Sequence, residues 1–187
     1  NRATSMVNGG RQAGSSIKPL ASIAPGLENG VITAATVYDD SPTKFGGISY
    51  NNSTGYQGLC TVRKGIEVSS NIVNMKILSN VGPSNSIKML NEMGLDAFDG
   101  SDEMLTLALG GSTHGATPLQ MAAAYAMIAN GGEYITPTFY TRLESATGTK
   151  VVEAKQETRR VMSERNAYVL ANILKAPVTG SSGTATS

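Results

Sequence analysis

A glycine, two serines and a lysine–proline pair stand side by side near the start of this chain, and they fix what the backbone can do there. Residues 11–19 read R-Q-A-G-S-S-I-K-P. Gly14 lets the chain turn sharply, and Pro19, which fixes φ and has no N–H, fits only the first turn of a helix. A helix is therefore predicted from Ser15 to about residue 29, with Gly30 ending it. Side chains three apart share a helix face, so Ser15 and Lys18 can bring Oγ and Nζ together, whereas Ser16, two from Lys18, cannot. A serine hydroxyl beside an amine is a nucleophile with its own base, provided the lysine sheds its proton, which desolvation or a nearby cation promotes. The same spacing also suits a plain helix start, with serine as cap and lysine as a solvated charge.

A second segment agrees with the chemical reading. After the amphipathic stretch 61–68 the chain reads V-S-S-N-I, which places Ser69 and Asn71 in an S-x-N triplet. A hydroxyl at Ser69 could relay a proton between Lys18 and a leaving group, and the Asn71 amide could hold Lys18 or a substrate carbonyl. Serine and asparagine also favour caps and turns, so the triplet equally reads as a break between helices. S-x-x-K followed by a serine-x-asparagine motif, with K-T-G further on, is the established pattern of penicillin-binding proteins and class A β-lactamases.

With the opening N-R-A-T, the run 11–19, Y-Q-G-L-C-T-V-R at 56–63 and M-A-A-A-Y-A-M-I-A-N-G-G-E-Y-I-T-P at 121–137, the chain resembles the transpeptidase domain of class A penicillin-binding proteins over nearly its whole length. The third motif departs from the pattern. The T-G pairs Thr147-Gly148 and Thr179-Gly180 follow Ala146 and Val178, and no K-T-G occurs. The resemblance implies an α/β fold of the α+β type, with an antiparallel sheet and a helical subdomain. These residues would be its mostly helical central part, cut at both ends, with the K-T-G strand on a remaining segment of the same domain.

Carried onto the matching positions, the resemblance implies that Ser15 attacks the carbonyl of a D-alanyl-D-alanine stem peptide and Lys18 accepts its proton. Ser69 would pass a proton to the departing nitrogen and Asn71 would orient the substrate amide. An amine from a neighbouring peptide then resolves the acyl-enzyme and cross-links peptidoglycan, and β-lactams acylate the same serine. No cofactor is implied. The alternatives are a D,D-carboxypeptidase, a serine β-lactamase, and, from a different class, a non-catalytic domain that binds or senses wall peptide. The resemblance also implies a place on the outer face of the bacterial cytoplasmic membrane, with an anchor upstream of these residues.

Composition excludes other classes. Fifteen basic and 14 acidic residues leave a net charge of +1, which gives no electrostatic footprint for nucleic acid. No apolar run reaches the roughly 18 residues a membrane span needs. His114 is the only histidine and lacks ligand partners at metal spacing, so no metal site is expected and a loop role is. Cys60, the only cysteine, reads as a small buried apolar residue. Glu67 reads as a solvated helix charge.

Further along, residues 33–58 lack periodicity and read as an extended loop. A helix is expected near residues 83–93, stopped by Gly94. Another is expected at 117–130, where Thr117 and Gln120 form a capping box around Pro118 and Leu119, Ala122, Ala123 and Ala126 form the packing face. Residues 134–144 and 149–153 read as two strands joined by a turn at 145–148. Ser163 then caps a helix to about residue 175, with Ala167, Leu170 and Leu174 as its stripe. The 117–130 and 163–175 faces are both expected to need the domain's sheet for cover.

Overall fold

The computed structural model describes residues 10–186; the N-R-A-T residues lie outside that range. The first helix starts one residue earlier than expected and changes type along its length. A 3-10 turn, Gly14–Ile17, carries Ser15; a π-helical segment, Pro19–Ile23, follows Lys18; and α1, Ala24–Glu28, completes the run. Pro19 accounts for part of this, because an α-helix beginning here would need its missing N–H, and the Lys18 N–H closes back on Ser15 O instead.

Where a loop was expected at 33–58, three short strands form: β1, Val37–Asp40, β2, Thr43–Phe45, and β3, Ile48–Tyr50. β2 and β3 make a hairpin around Gly46 and Gly47, and β1 pairs antiparallel with β4, Gly58–Thr61. These strands are three or four residues long and their exposed faces mix polar and apolar side chains, so no alternation signals them.

Six further α-helices among the described residues follow the sequence signals or fill what they left open. α2, Val62–Glu67, is capped by Thr61 Oγ1 accepting from the Lys64 N–H. α3, Asn71–Val81, is capped by Ser70 Oγ accepting from the Val73 N–H and is ended by Gly82 at φ +85°. The caps are local devices, but no periodic stripe announces α3, because it is buried nearly all round, from Ile72 to Val81. Pro83 opens α4, Pro83–Glu92. α5, Pro118–Ala129, has the expected capping box, with Thr117 and Gln120 exchanging hydrogen bonds. α6, Glu164–Ile173, is capped by Ser163 Oγ accepting from the Asn166 N–H, and a short α7, Ala176–Thr179, comes after it.

The expected long strand at 134–144 is broken. β5, Glu133–Ile135, stops before Pro137, which cannot donate to a ladder, and pairs with β8, Thr158–Arg160. The hairpin is β6, Arg142–Glu144, with β7, Lys150–Glu153, and its turn lies at 145–148 as expected. Among the described residues the strands form four separate two-stranded antiparallel pairs.

The core gathers Leu20, Ile23, Met75, Leu78, Leu90, Leu107, Met127 and Leu170, with α3 at its centre against the 19–23 segment and the 3-10 turn Leu105–Leu109. Two helix faces differ from expectation. α5 buries Ala123, Ala124, Met127 and Ile128 and leaves Ala122 and Ala126 exposed, since the bulky Met127 and Ile128 have more to gain from the core than the alanines that blurred its period. α6 buries Ala167, Leu170 and Ile173 against α1 and α5, so its stripe is covered within the described residues; Leu174 is only half-buried.

Candidate active site

The turn that carries Ser15 is braced from below. Arg11 and Ala116 exchange backbone hydrogen bonds at 3.0 and 2.9 Å. Gly110 closes the Leu105–Leu109 turn at φ +87°, and a Cβ there would overlap the Gly14 backbone. Ser15 is exposed at the mouth of a cavity of about 260 Å³ that Lys18, Ser69, Tyr125 and Thr184 also line. Ser16 faces the same cavity, but its hydroxyl donates to Ala13 O at 2.7 Å and its carbonyl accepts from Tyr125 Oη at 2.7 Å.

Lys18 is 2% exposed and has no ion-pair partner among the described residues. Its Nζ donates to Ser69 O at 2.6 Å, Ser69 Oγ at 2.9 Å and Asn71 Oδ1 at 2.7 Å. An ammonium has three donors, so this set uses all of them and none goes to Ser15. The structure thus brings Lys18, Ser69 and Asn71 into direct contact and sets Ser15 in the same cavity without the Oγ to Nζ hydrogen bond that helical spacing allows. Burial without a compensating charge lowers the Lys18 ammonium from 10.5 to about 8.

The geometry at Ser69 follows from how α2 ends. Val68 caps the helix, and Ser69 takes φ +53°, the one non-glycine residue at positive φ among those described. The Ser70 N–H donates to Gly65 O at 2.7 Å and the Ser69 N–H to Ile66 O at 3.0 Å, which is the Schellman pattern with serine where glycine is usual. This left-handed residue turns the chain so that the Ser69 carbonyl and hydroxyl and the first side chain of α3 all face one ammonium. The triplet is therefore a helix break and a three-point cradle at once.

Residues outside the expected set also contribute. Asp40 and Asn52 lie directly behind Ser70 and Asn71, and Tyr125 holds the Ser16 carbonyl, its hydroxyl pushed up to about 12 by burial. Asp40 and Asn52 fall in the stretch 33–58 that read as an extended loop, and no motif marked a role for them or for Tyr125. Glu67 is half-buried and paired, not a free helix charge: it meets Lys64 at 2.7 Å and accepts the Ser182 N–H at 3.0 Å, and the Lys64 hydrogen bond above all holds its carboxyl below the usual range. Cys60 is buried and its thiol is raised, chiefly by desolvation. His114 is exposed on a loop. No cluster of metal-ligating side chains and no helix long and apolar enough to cross a membrane occurs among the described residues.

Comparison with known proteins gives this arrangement its setting. Residues 1–187 match the family described as the penicillin binding protein transpeptidase domain. The chain is 35% identical to penicillin-binding protein 1A of Clostridium botulinum, over 97% of its own length and 23% of that protein. It is 31% identical to penicillin-binding protein 1F of Bacillus subtilis, over 100% of its length and 25% of that protein. It thus spans about a quarter of the curated relatives it matches. The crystal structure of penicillin-binding protein 1A from Haemophilus influenzae superposes with a TM-score of 0.83 at 26% identity, covering 96% of this chain and 32% of that one. Penicillin-binding protein A of M. tuberculosis, solved as an imipenem acyl-enzyme complex, shares the fold with a TM-score of 0.82 at 19% identity, over 92% of this chain and 44% of that one. A mixed α/β fold, helical with small antiparallel pairs, and a match along every residue make this chain a member of the penicillin-binding protein transpeptidase family.

Proposed function

We propose that this chain carries the acylating machinery of a serine D,D-transpeptidase that cross-links peptidoglycan stem peptides and is acylated by β-lactams. The observation that carries the reading is a buried lysine, unpaired with any carboxylate among the described residues and lowered to about 8, held by Ser69 and Asn71 in the cavity that Ser15 lines. At pH 7 about one lysine in ten is then neutral. A neutral Lys18 has a lone pair where the ammonium had a third donor, and it can take the Ser15 proton as Oγ attacks the D-alanyl-D-alanine carbonyl. The proton returns through Ser69 Oγ, which sits 2.9 Å from Nζ, to the departing D-alanine nitrogen. Asn71 keeps Lys18 in place through Oδ1 and orients the substrate amide.

The Ser15 N–H, at the start of the helical run, is suited to be one oxyanion donor. The second donor and the strand that binds the substrate carboxylate are assigned to a K-T-G segment elsewhere in the protein, in keeping with the 32% share of the H. influenzae chain that these residues cover. The proposed setting is the outer face of the bacterial cytoplasmic membrane. Fluorescent penicillin labelling of the intact protein tests the reading. Slowly lost label on Ser15, found by peptide mass mapping, is expected; label on Ser16 or none overturns it. Fast loss points to a β-lactamase, and D-alanine release from a stem pentapeptide without cross-linking points to a carboxypeptidase.

A further inference from the structure

Behind the Ser69 to Asn71 segment lies a buried polar network that the proton route does not use. Asp40, at the end of β1, is 0% exposed and forms no ion pair among the described residues. Its Oδ1 accepts from Ser70 Oγ at 2.7 Å and from Asn52 Nδ2 at 2.8 Å, and its Oδ2 accepts from the Gln57 N–H at 3.1 Å. A carboxylate only accepts, so each of these donors is held in one direction.

Asn52 is oriented by that contact. Its Nδ2 turns to Asp40 and to Gly55 O at 2.9 Å, which leaves Oδ1 for the Asn71 N–H at 2.7 Å and the Ile72 N–H at 3.2 Å, two open donors of the first turn of α3. Reversing the amide would set NH₂ against N–H, so the hydrogen-bond network fixes which way it points. Asn71 is constrained in turn: its backbone is held by Asn52 and its Nδ2 donates to Asn51 O at 2.8 Å, so Oδ1 is the atom left for Lys18.

We infer that Asp40 and Asn52 are positioning residues for acyl transfer. Asp40 fixes the amide of Asn52, Asn52 fixes the start of α3, and that start aims Asn71 Oδ1 and Ser69 at Lys18. The inference rests on the transpeptidase reading and deepens it. A negative group near a helix N-terminus is favourable, which helps to accommodate a buried carboxylate without a cation. An amide in place of Asp40 would keep the volume but in either orientation sets its NH₂ against a donor, the Gln57 N–H on one side or Ser70 Oγ and Asn52 Nδ2 on the other.

The test uses the intact protein and fluorescent penicillin, separating the acylation rate constant from the dissociation constant of the pre-covalent complex, with thermal midpoints measured alongside. Asp40→Asn and Asn52→Asp should each lower the rate constant by roughly 10- to 100-fold, the scale of a misaligned catalytic group, and leave the dissociation constant nearly unchanged. The exchanged pair, Asp40→Asn with Asn52→Asp, again sets a donor against an acceptor between positions 40 and 52 but turns a carboxylate oxygen toward Gly55 O, so it should recover part of the loss. If Asp40→Asn fails to fold, Asn52→Ala at a half-buried loop position carries the same expectation. A wild-type rate constant in folded single variants, or an exchanged pair no faster than the slower single, overturns the inference. A wild-type protein that takes no label overturns the transpeptidase reading, and this inference with it.

Discussion

Lys18 is the only buried cation among the described residues, and its surroundings set two pH dependences of known sign. Its folded value of about 8 lies below its ordinary 10.5, so the unfolded chain binds the proton more tightly than the folded one. Between pH 8 and 10.5 stability therefore rises with pH as the penalty of burying the charge is relieved, and below pH 8 the penalty is full. The gain should appear as a rise in the urea midpoint of the intact protein relative to Lys18→Met from pH 7.5 to 10; a constant difference would mean that Lys18 titrates normally. Acylation should rise about tenfold per pH unit below 8 and level off above it, as the neutral amine becomes the main form. Lys18→Arg keeps the charge but cannot deprotonate, and should acylate at least roughly 10²-fold more slowly. An arginine variant with the native rate would make Lys18 an electrostatic anchor and not a base.

At the scale of elements, the junction between α2 and α3 exchanges stability for geometry at one residue. A non-glycine residue in the left-handed region costs on the order of 1 kcal/mol, and Ser69 bears that strain at φ +53° while its hydroxyl meets Lys18. Ser69→Ala and Ser69→Gly both remove the hydroxyl, but only glycine relieves the backbone. Ser69→Gly should thus be more stable than Ser69→Ala by about 1 kcal/mol in urea unfolding, with both equally slow in acylation; equal stabilities would show that the turn carries no strain. The sequence marked this junction as a break between helices, but not the left-handed turn that shapes it. Caps with side-chain oxygens at fixed offsets, as at Thr117 and Ser163, act within one turn and were legible. α3 was not, because a helix buried over most of its surface, with only Ser79 and Asn80 exposed, shows no clear 3.6-residue stripe, and neither was the contact of Asp40 with Ser70, 30 residues away. Ser15 and Lys18 line one cavity, as their spacing suggested, but which acceptors would fill the three donors of Lys18 depended on the left-handed turn at Ser69, and nothing in V-S-S-N announces that turn.

Across the whole molecule, the two helix faces expected to need outside cover part company. α6 is closed off by α1 and α5, whereas the α5 face of Ala122, Ala126 and Ala129 stays exposed beside a recess of about 330 Å³ lined by Ala126, Met127 and Ile135. Small residues let another layer approach closely, and the H. influenzae chain is about three times the length covered here, so the face is a candidate seat for more of the domain. Ala126→Glu separates the cases. If the face is covered in the intact protein, burying that carboxylate should lower its stability by several kcal/mol, read as a fall in thermal midpoint, whereas the same change in residues 1–187 produced alone should stay within about 0.5 kcal/mol, as for other exposed positions. The two polypeptides should also differ in chemistry. Lacking K-T-G, residues 1–187 alone should acylate with penicillin at least roughly 10²-fold more slowly than the intact protein, the usual loss for one missing oxyanion donor. Equal rates would show that Ser15, Lys18, Ser69 and Asn71 suffice without that strand, and an intact protein indifferent to Ala126→Glu would show that the alanine face of α5 looks into solvent.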